Sequence, residues 1–375
     1  MKRVLIISFS ELKSDPRVYR QIQLLRKHFH VTAAGFGNCP AEDIDWIQIQ
    51  PSLRTRWDQL KNIVLLGLRQ FEKSYWNRPL HRMALELLGT RKFDLILAND
   101  IDALPLAVRL AVGTPVLLDA HEYAPREYED SALWRLVVQP YKRYLCRHYL
   151  DRAQGMLTVC AGLAEEYRRM YGVSPMVVLN APPYQKLEPT QVDAAVVRMI
   201  HHGAAIPSRH LEVMIEMMQF LEPRFRLDFM LVPSDPDYLN QLRSLASADS
   251  RIRFVDPVPM LDIPRVTNAY DIGVFLLPPV NFNYANALPN KFFEFVQARL
   301  AVAIGPSPEM ARLVKQYAIG IVADDFTSKA MAVRLNCLTS LEITGLKMAS
   351  HAAARDLCFD RSSEVLLSEV HRLLD

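Results

Sequence analysis

The sequence contains no apolar run approaching the roughly 20 residues that a membrane-spanning helix requires, so no transmembrane segment is expected. The opening MKRVLIISFSELKSD has too short an apolar core for a signal peptide. Its five cysteines (Cys39, Cys146, Cys160, Cys337, Cys358) are scattered without CxxC or metal-ligand spacing, as in a reduced cytosolic protein. No His/Cys metal-ligand spacing accompanies the candidate site described below, so no metal is assigned. Walker and Rossmann phosphate fingerprints are absent as well, and there are no repeats or low-complexity tails. These absences leave a globular, non-disulfide protein whose chemistry, if any, is carried by dispersed residues.

What is present suits two α/β domains. At 375 residues, half of them hydrophobic, the chain is long enough for two cores. The net charge of +3 conceals an asymmetry: residues 1–200 carry 27 Lys+Arg against 21 Asp+Glu, and residues 201–375 carry 17 against 20. A basic first half suits an anionic membrane, a polyanionic acceptor or solvent alike. Nothing points to nucleic acid.

The stretch Asn286–Glu309, NALPNKFFEFVQARLAVAIGPSPE, organises the chain. Pro289 is placed to open a helix at its first position, with Phe292, Phe293, Val296 and Leu300 on one stripe and an end near Arg299. Ala301–Ile304 follows as a buried parallel strand. A helix start offers free N–H groups and the positive end of a dipole to an anion, and Asn290 and Lys291 lie in that first turn. Glu294, one turn on, suits a vicinal diol such as a ribose. A phosphate end and a diol end one turn apart describe a nucleoside diphosphate. An amphipathic helix with solvated charges is the ordinary alternative.

Earlier in the chain, Val4–Ser8 reads as a strand and Asp15-Pro16 as an N-cap and first position of a helix to Leu25. The loop between them, Phe9–Ser14 with Ser10, lies at the carboxyl end of a strand, where open α/β sheets bind ligands. Arg17 is placed to reach a phosphate or an acceptor from the first helical turn, or is a solvated charge. Val31–Ala34, Phe93–Ala98, Pro115–Asp119, Gly155–Val159 and Met176–Leu179 are further strands. Asp100, with Asn99 and Asp102, follows one; His121 and Glu122 follow another, and together they form a candidate active-site lip. The segment 54–78 carries six basic and two acidic residues. Trp57, Leu60, Val64, Leu68 and Phe71 recur there at helical spacing, as in a helix lying on a membrane or one packing its stripe on the sheet. Arg135, Lys142, Arg143, Arg147 and Arg152 suggest an acceptor face, a membrane face or a solvated one.

Asn180–Pro183 breaks regularity and reads as an interdomain crossing. Beyond it, Arg198–His202 is a strand, Gly203–Arg209 a glycine-led loop and Ser208–Phe220 a helix. Leu227–Val232, Ile252–Val255, Asp271–Leu276 and Gly320–Val322 continue the alternation, with a loop over Leu277–Leu288.

Taken in order, SFSELKSDPRV, ANDIDAL, DAHE, VLNAPP, HHGAAIPSRHLE and LPNKFFE followed by SPEM resemble the retaining glycosyltransferases of the GT-B fold, family 4 type. The resemblance implies an α/β protein of two Rossmann-like doubly wound domains facing across a cleft. Residues 1–183 would bind the acceptor, 184–355 the nucleotide sugar, and a C-terminal helix in 356–375 would return toward the first domain. It implies catalytic roles for His121, Arg209 and Lys291, with His121 contacting the transferred sugar. Donor binding falls to Gly203, Asn286, Leu288, Pro289, Asn290 and Glu294; the acceptor or cleft residues are Ser10, Arg17, Asp100 and Glu122. The family's pattern is broken twice: Ala204 stands where an arginine contacts the diphosphate, and Asn286 replaces the first of two glutamates.

The resulting expectation is a cofactor-free, metal-independent transferase that moves a sugar from a nucleotide diphosphate donor to a saccharide or lipid-linked saccharide. It would work in surface or extracellular polysaccharide synthesis, in the cytoplasm or at the inner face of the cell membrane, with an anionic membrane surface as a further partner. A nucleotide-sugar epimerase of the same fold and a weakly active partner subunit are the alternatives.

Overall fold

The computed structural model describes residues 1–50 and 56–375, which divide into two compact units. Unit 1 comprises 1–178, 281–283 and 363–375; unit 2 comprises 179–280 and 284–362. The strands in chain order are β1 Arg3–Glu11, β2 His30–Phe36, β3 Asp45–Gln48, β4 Leu95–Asn99, β5 Val116–Ala120, β6 Gly155–Thr158, β7 Met176–Val177, β8 Val197–Ala204, β9 Phe225–Val232, β10 Ile252–Val255, β11 Ile272–Phe275, β12 Ala301–Ile304 and β13 Gly320–Val322. The helices are α1 Pro16–Leu25, α2 Arg56–Gly67, α3 Phe71–Asn77, α4 Pro79–Leu88, α5 Leu104–Leu110, α6 Ala132–Val137, α7 Gln139–Tyr149, α8 Ala161–Tyr171, α9 Glu212–Met217, α10 Pro236–Ala246, α11 Ile263–Thr267, α12 Phe282–Ala285, α13 Asn290–Gln297, α14 Pro308–Tyr317, α15 Ser328–Asn336, α16 Ser340–Ala353 and α17 Phe359–Leu374.

Unit 1 holds a parallel sheet of order β3-β2-β1-β4-β5-β6-β7. Its central strands are apolar on both faces: Val4, Leu5, Ile6 and Ile7 are all fully buried. A strand buried on both sides needs helices above and below, which is the parallel α/β solution. Asp15 caps α1 by accepting from the Arg17 and Val18 amides at 3.1 and 3.2 Å, with Pro16 at the first position as its spacing predicts. Leu366 and Val370 of α17 belong to this unit's core.

Unit 2 holds a second parallel sheet, β10-β9-β8-β11-β12-β13. Its central helix is α13. Every residue from Lys291 to Gln297 is buried, so this is not an amphipathic surface helix. Gly273 on β11 permits the approach, because a Cβ there would meet the Phe295 ring at 2.3 Å. The helix opens one residue later than its spacing predicts, with Pro289 as N-cap and Asn290 first, and it ends at Gln297 rather than near Arg299. Arg299, at φ +62°, instead reaches back with its guanidinium to the carbonyls of Gln185 and Leu187 at 2.5 and 3.1 Å.

The α/β fold class holds, and four local expectations change. Strand β3 is an additional edge strand. The basic helix expected over 54–78 is two helices, α2 and α3, because Arg69 turns left-handed at φ +55°; Arg54 and Thr55 lie outside the described residues. The helix expected from Ser208 is a 3-10 turn at Pro207–Arg209 followed, after left-handed His210, by α9. The loop expected over Leu277–Leu288 contains α12.

Candidate active site

In unit 2 the strand order reverses between β8 and β11, and the carboxyl ends of strands at such a reversal form a binding crevice. His201, His202 and Gly203 end β8, and the start of α13 stands beside them. Lys291 is 6% exposed, its Nζ 3.2 Å from His201 Nε2 and 4.3 Å from the centre of the Phe275 ring. His201 Nδ1 donates to the Val274 carbonyl at 2.9 Å, so its Nε2 carries the lone pair that faces the lysine. Gly203, at φ +125°, allows the approach: a Cβ there would lie 3.1 Å from Lys291 Nζ and 3.6 Å from an Arg209 nitrogen. Arg209 donates to the Ala204 carbonyl at 3.1 Å.

Burial, then the Arg209 charge, pushes Lys291 well below the usual lysine range. His201 is likewise pushed well below the usual histidine range by burial and by Lys291, and His202 down to about 3. Glu294, 5% exposed, approaches His202 Nε2 at 3.6 Å, and that nitrogen is buried without a hydrogen-bond partner among the described residues. The cluster therefore sets two basic side chains, buried Lys291 and half-buried Arg209, and two buried imidazoles around one carboxylate. Glu294 is the one carboxylate among these groups. Gly203, Arg209, Lys291 and Glu294 are brought together as the sequence suggests; Leu288 is buried nearby in the chain, while Asn286, Pro289 and Asn290 are half-buried along the approach to α13. The sequence reading passed over His201 and His202 as site residues; two histidines ending a strand before a glycine were the available signal.

In unit 1 the order reverses between β1 and β4. Ser10 Oγ, at the end of β1, donates to Asp15 at 2.8 Å. Asp100, after β4, is left-handed at φ +63°, and its carboxylate accepts from the His121 amide at 2.9 Å while facing His121 Nδ1 at 3.4 Å. His121 Nε2 lies 3.0 Å from Asn99 Oδ1 and 3.8 Å from Asp119. The ring is thus held at both nitrogens. Arg17 does not face an acceptor: it is 5% exposed and forks onto Asp119 at 2.6 and 2.7 Å, with a third bond to the Val178 carbonyl at 2.8 Å. The expected reach to a phosphate or an acceptor, or to solvent, is replaced by a buried ion pair with the carboxylate that also lies 3.8 Å from His121, a correction that follows from the bidentate match of guanidinium and carboxylate.

The Glu122 carboxyl is pushed up to about 8 by burial and by its neighbours Glu127 and Asp100, although the residue keeps solvent contact. Lys142 leaves the proposed basic face altogether, since its ammonium is buried against Asp102 and Glu127 at 2.5 and 3.1 Å. Sequence reasoning also missed Asn281–Asn283. The Asn283 amide pairs with the Tyr123 backbone at 2.8 and 3.3 Å, and the Phe282 amide donates to Glu129 at 2.8 Å. Among the described residues no group of three or more His, Cys, Asp or Glu is placed to hold a metal ion.

Two parallel sheets with ligand-receptive reversals define the GT-B architecture, and comparison with solved structures agrees. The chain superposes on sucrose-phosphate synthase from Thermosynechococcus elongatus with a TM-score of 0.76 at 12% identity, covering 100% of this chain and 99% of that one. It superposes on Anabaena HepE, solved with UDP and glucose, with a TM-score of 0.72 at 13% identity, covering 99% and 100%. WaaG, a glycosyltransferase involved in lipopolysaccharide biosynthesis, matches with a TM-score of 0.64 at 12% identity, covering 96% and 98%. Residues 18–181 match the model of Glycosyltransferase Family 4. The chain therefore has the GT-B fold, and 18–181 is the part that resembles Glycosyltransferase Family 4. Comparison with curated protein sequences gives no significant match.

Proposed function

We propose that this protein transfers a sugar from a nucleoside diphosphate donor, bound by unit 2, to a saccharide or lipid-linked saccharide bound by unit 1, with retention of anomeric configuration and without a bound metal. The observation that carries the reading is the cluster of buried Lys291 and His201 with half-buried Arg209, one helical turn from Glu294. The diphosphate would occupy the cationic end, and Glu294 would accept from the ribose hydroxyls. The leaving diphosphate gains charge as the glycosidic bond breaks, and fixed cations aimed at it stabilise that change more than they stabilise the bound donor. Ala204 adds no charge, so Arg209 and Lys291 carry this duty with the α13 N-terminus. His121, oriented by Asn99, Asp100 and Asp119, is the group assigned to the sugar. HepE was solved with UDP, which makes UDP the first nucleotide to try.

The test is the melting-temperature shift with UDP, GDP, ADP and CMP, in the presence of a chelator, for wild type and Glu294→Ala. A nucleotide at about 100 times its Kd stabilises by roughly 2.7 kcal/mol. One nucleotide should stabilise the wild type and much less the variant. Stabilisation by none removes the donor site. Nucleotide binding without turnover, restored only beside another protein, would favour a partner subunit, the reading that the neutral Ala204 and Asn286 support.

We also propose that α2 rests on an anionic bilayer in polysaccharide synthesis at the inner membrane face. Trp57, Leu60, Ile63, Val64 and Leu68 are 80, 53, 58, 50 and 67% exposed, so they pack on no sheet. Exposed Arg56, Lys61 and Arg69 accompany them. Sedimentation with phosphatidylglycerol vesicles at low salt should carry the protein down, and Trp57→Ser should weaken it.

A further inference from the structure

Beside the unit 1 lip, Tyr123 leads from His121 and Glu122 into a separate cavity of about 540 Å³, between the Ala124–Arg126 turn, α6, α7 and α8. Five arginines line it: Arg126, Arg135, Arg143, Arg147 and Arg169. Two are matched by carboxylates, Arg126 by Glu129 at 2.5 Å and Arg169 by Glu166 at 2.7 Å. Arg135 reaches only carbonyls, those of Glu129 and Asp130, at 2.5 and 3.3 Å. Arg143 and Arg147 pair with no carboxylate among the described residues.

Those last two stand four residues apart on α7, in one row with Gln139, so their like charges repel across a single helical turn. The cavity also holds the Tyr123 and Tyr171 hydroxyls, hydrogen-bonded to each other; burial pushes Tyr123 up to about 12, so it stays a neutral hydroxyl there. A volume of this size suits a small ligand, and guanidinium forks match the oxygens of phosphate.

We infer that this cavity seats the phosphate or diphosphate group of a phosphorylated acceptor. The inference rests on the glycosyltransferase reading and names the acceptor class for it. Two sources share that chemistry, a soluble sugar phosphate and a lipid-linked diphosphate. On α6, Leu133 and Leu136 flank Arg135 at 71 and 76% exposure, and α2 with its exposed apolar stripe packs beside α6. A lipid tail would find apolar surface there.

Calorimetric titration with inorganic pyrophosphate and with farnesyl diphosphate, in the presence of saturating UDP, tests this. Arg143→Gln/Arg147→Gln should weaken saturable pyrophosphate binding at least tenfold, while Lys291→Met leaves it unchanged. Both arginines are exposed, so the double variant should keep the wild-type melting temperature and its shift with UDP. Binding that survives the double variant, binding lost in Lys291→Met, or no saturable binding would overturn the inference. Absence of the UDP shift in wild type would instead strike the donor reading. Farnesyl diphosphate binding tenfold or more tighter than pyrophosphate, with the gain lost in Leu133→Ser/Leu136→Ser, assigns the lipid-linked source; equal affinities assign the soluble one.

Discussion

The two strand-order reversals of this protein are built on opposite electrostatic plans. At β8 and β11, buried Lys291, His201 and His202 and half-buried Arg209 gather around one carboxylate, Glu294. At β1 and β4 the central charges are answered, with Arg17 forked onto Asp119 and His121 held between Asn99, Asp100 and Asp119. A buried charge without its counterpart costs stability, and a fold keeps it where a ligand supplies the missing partner. The fully answered site does the other thing a binding protein needs, which is to hold one ring in one orientation. The first cluster is weighted toward basic groups, the second fixes geometry.

The largest expected effect comes from breaking the answered plan. Asp119→Ala leaves the Arg17 guanidinium buried and unpaired, and removing one partner of such a pair typically costs about 3–5 kcal/mol. A denaturant titration reads this directly. Asp119→Asn should cost less, because the amide still accepts one of the arginine's bonds. Equal stability of both variants and wild type would show that the pair contributes nothing.

Breaking the unanswered plan should have the opposite sign on stability. Lys291→Met removes a buried amine whose charged form the empty site disfavours, so the empty protein should be as stable as wild type or more so. Its catalytic cost should be about 10²- to 10³-fold in kcat, the range for removing one preorganised donor at a developing charge. A melting curve and a turnover assay on one preparation check both. A loss of stability with activity intact would place Lys291 in the core rather than in the site.

The comparison sharpens further through protons. Because Lys291 is pushed down in the empty site, an arriving diphosphate should restore its charge and draw a proton from solution. Nucleotide affinity should therefore fall as pH rises through the range where the empty site has lost that proton and the filled site keeps it, by up to about tenfold per pH unit. Titration in two buffers of different ionisation heat would measure the uptake, and Lys291→Met should abolish it.

Much of this was legible in the sequence, for physical reasons that also mark where legibility ends. The central strands announce themselves because both faces are buried, as in Val4–Ile7; β3 escaped because, as an edge strand, it carries only short alternation around Ile47. The Asp15-Pro16 cap is local chemistry and was readable. The break at Arg69 is a single left-handed residue that no periodicity reveals. Arg17 was misread because its partner, Asp119, lies 102 residues away, and only the sheet brings them together. Lys291 and Glu294 were visible as charges at a helix start, but their burial was not, and burial is what turns them from surface charges into a site.

The smallest effect separates the two plans by pH. Glu122 sits on the answered side, yet its carboxyl is pushed up to about 8 by burial and by Glu127 and Asp100. Its folded value lies above the unfolded value of about 4.3, so the folded state holds the proton more tightly. The stability this contributes is fully present below the unfolded value and is lost as pH rises through the folded one. Wild-type melting temperature should thus decline between pH 5 and pH 9 more steeply than that of Glu122→Gln, which keeps a neutral side chain throughout. Because Glu122 retains solvent contact, screening keeps the difference small, a few degrees at most at the alkaline end. Parallel declines would mean that solvent has already relieved the crowding of Glu122, Glu127 and Asp100, and that this rim, like its histidine, is balanced in charge.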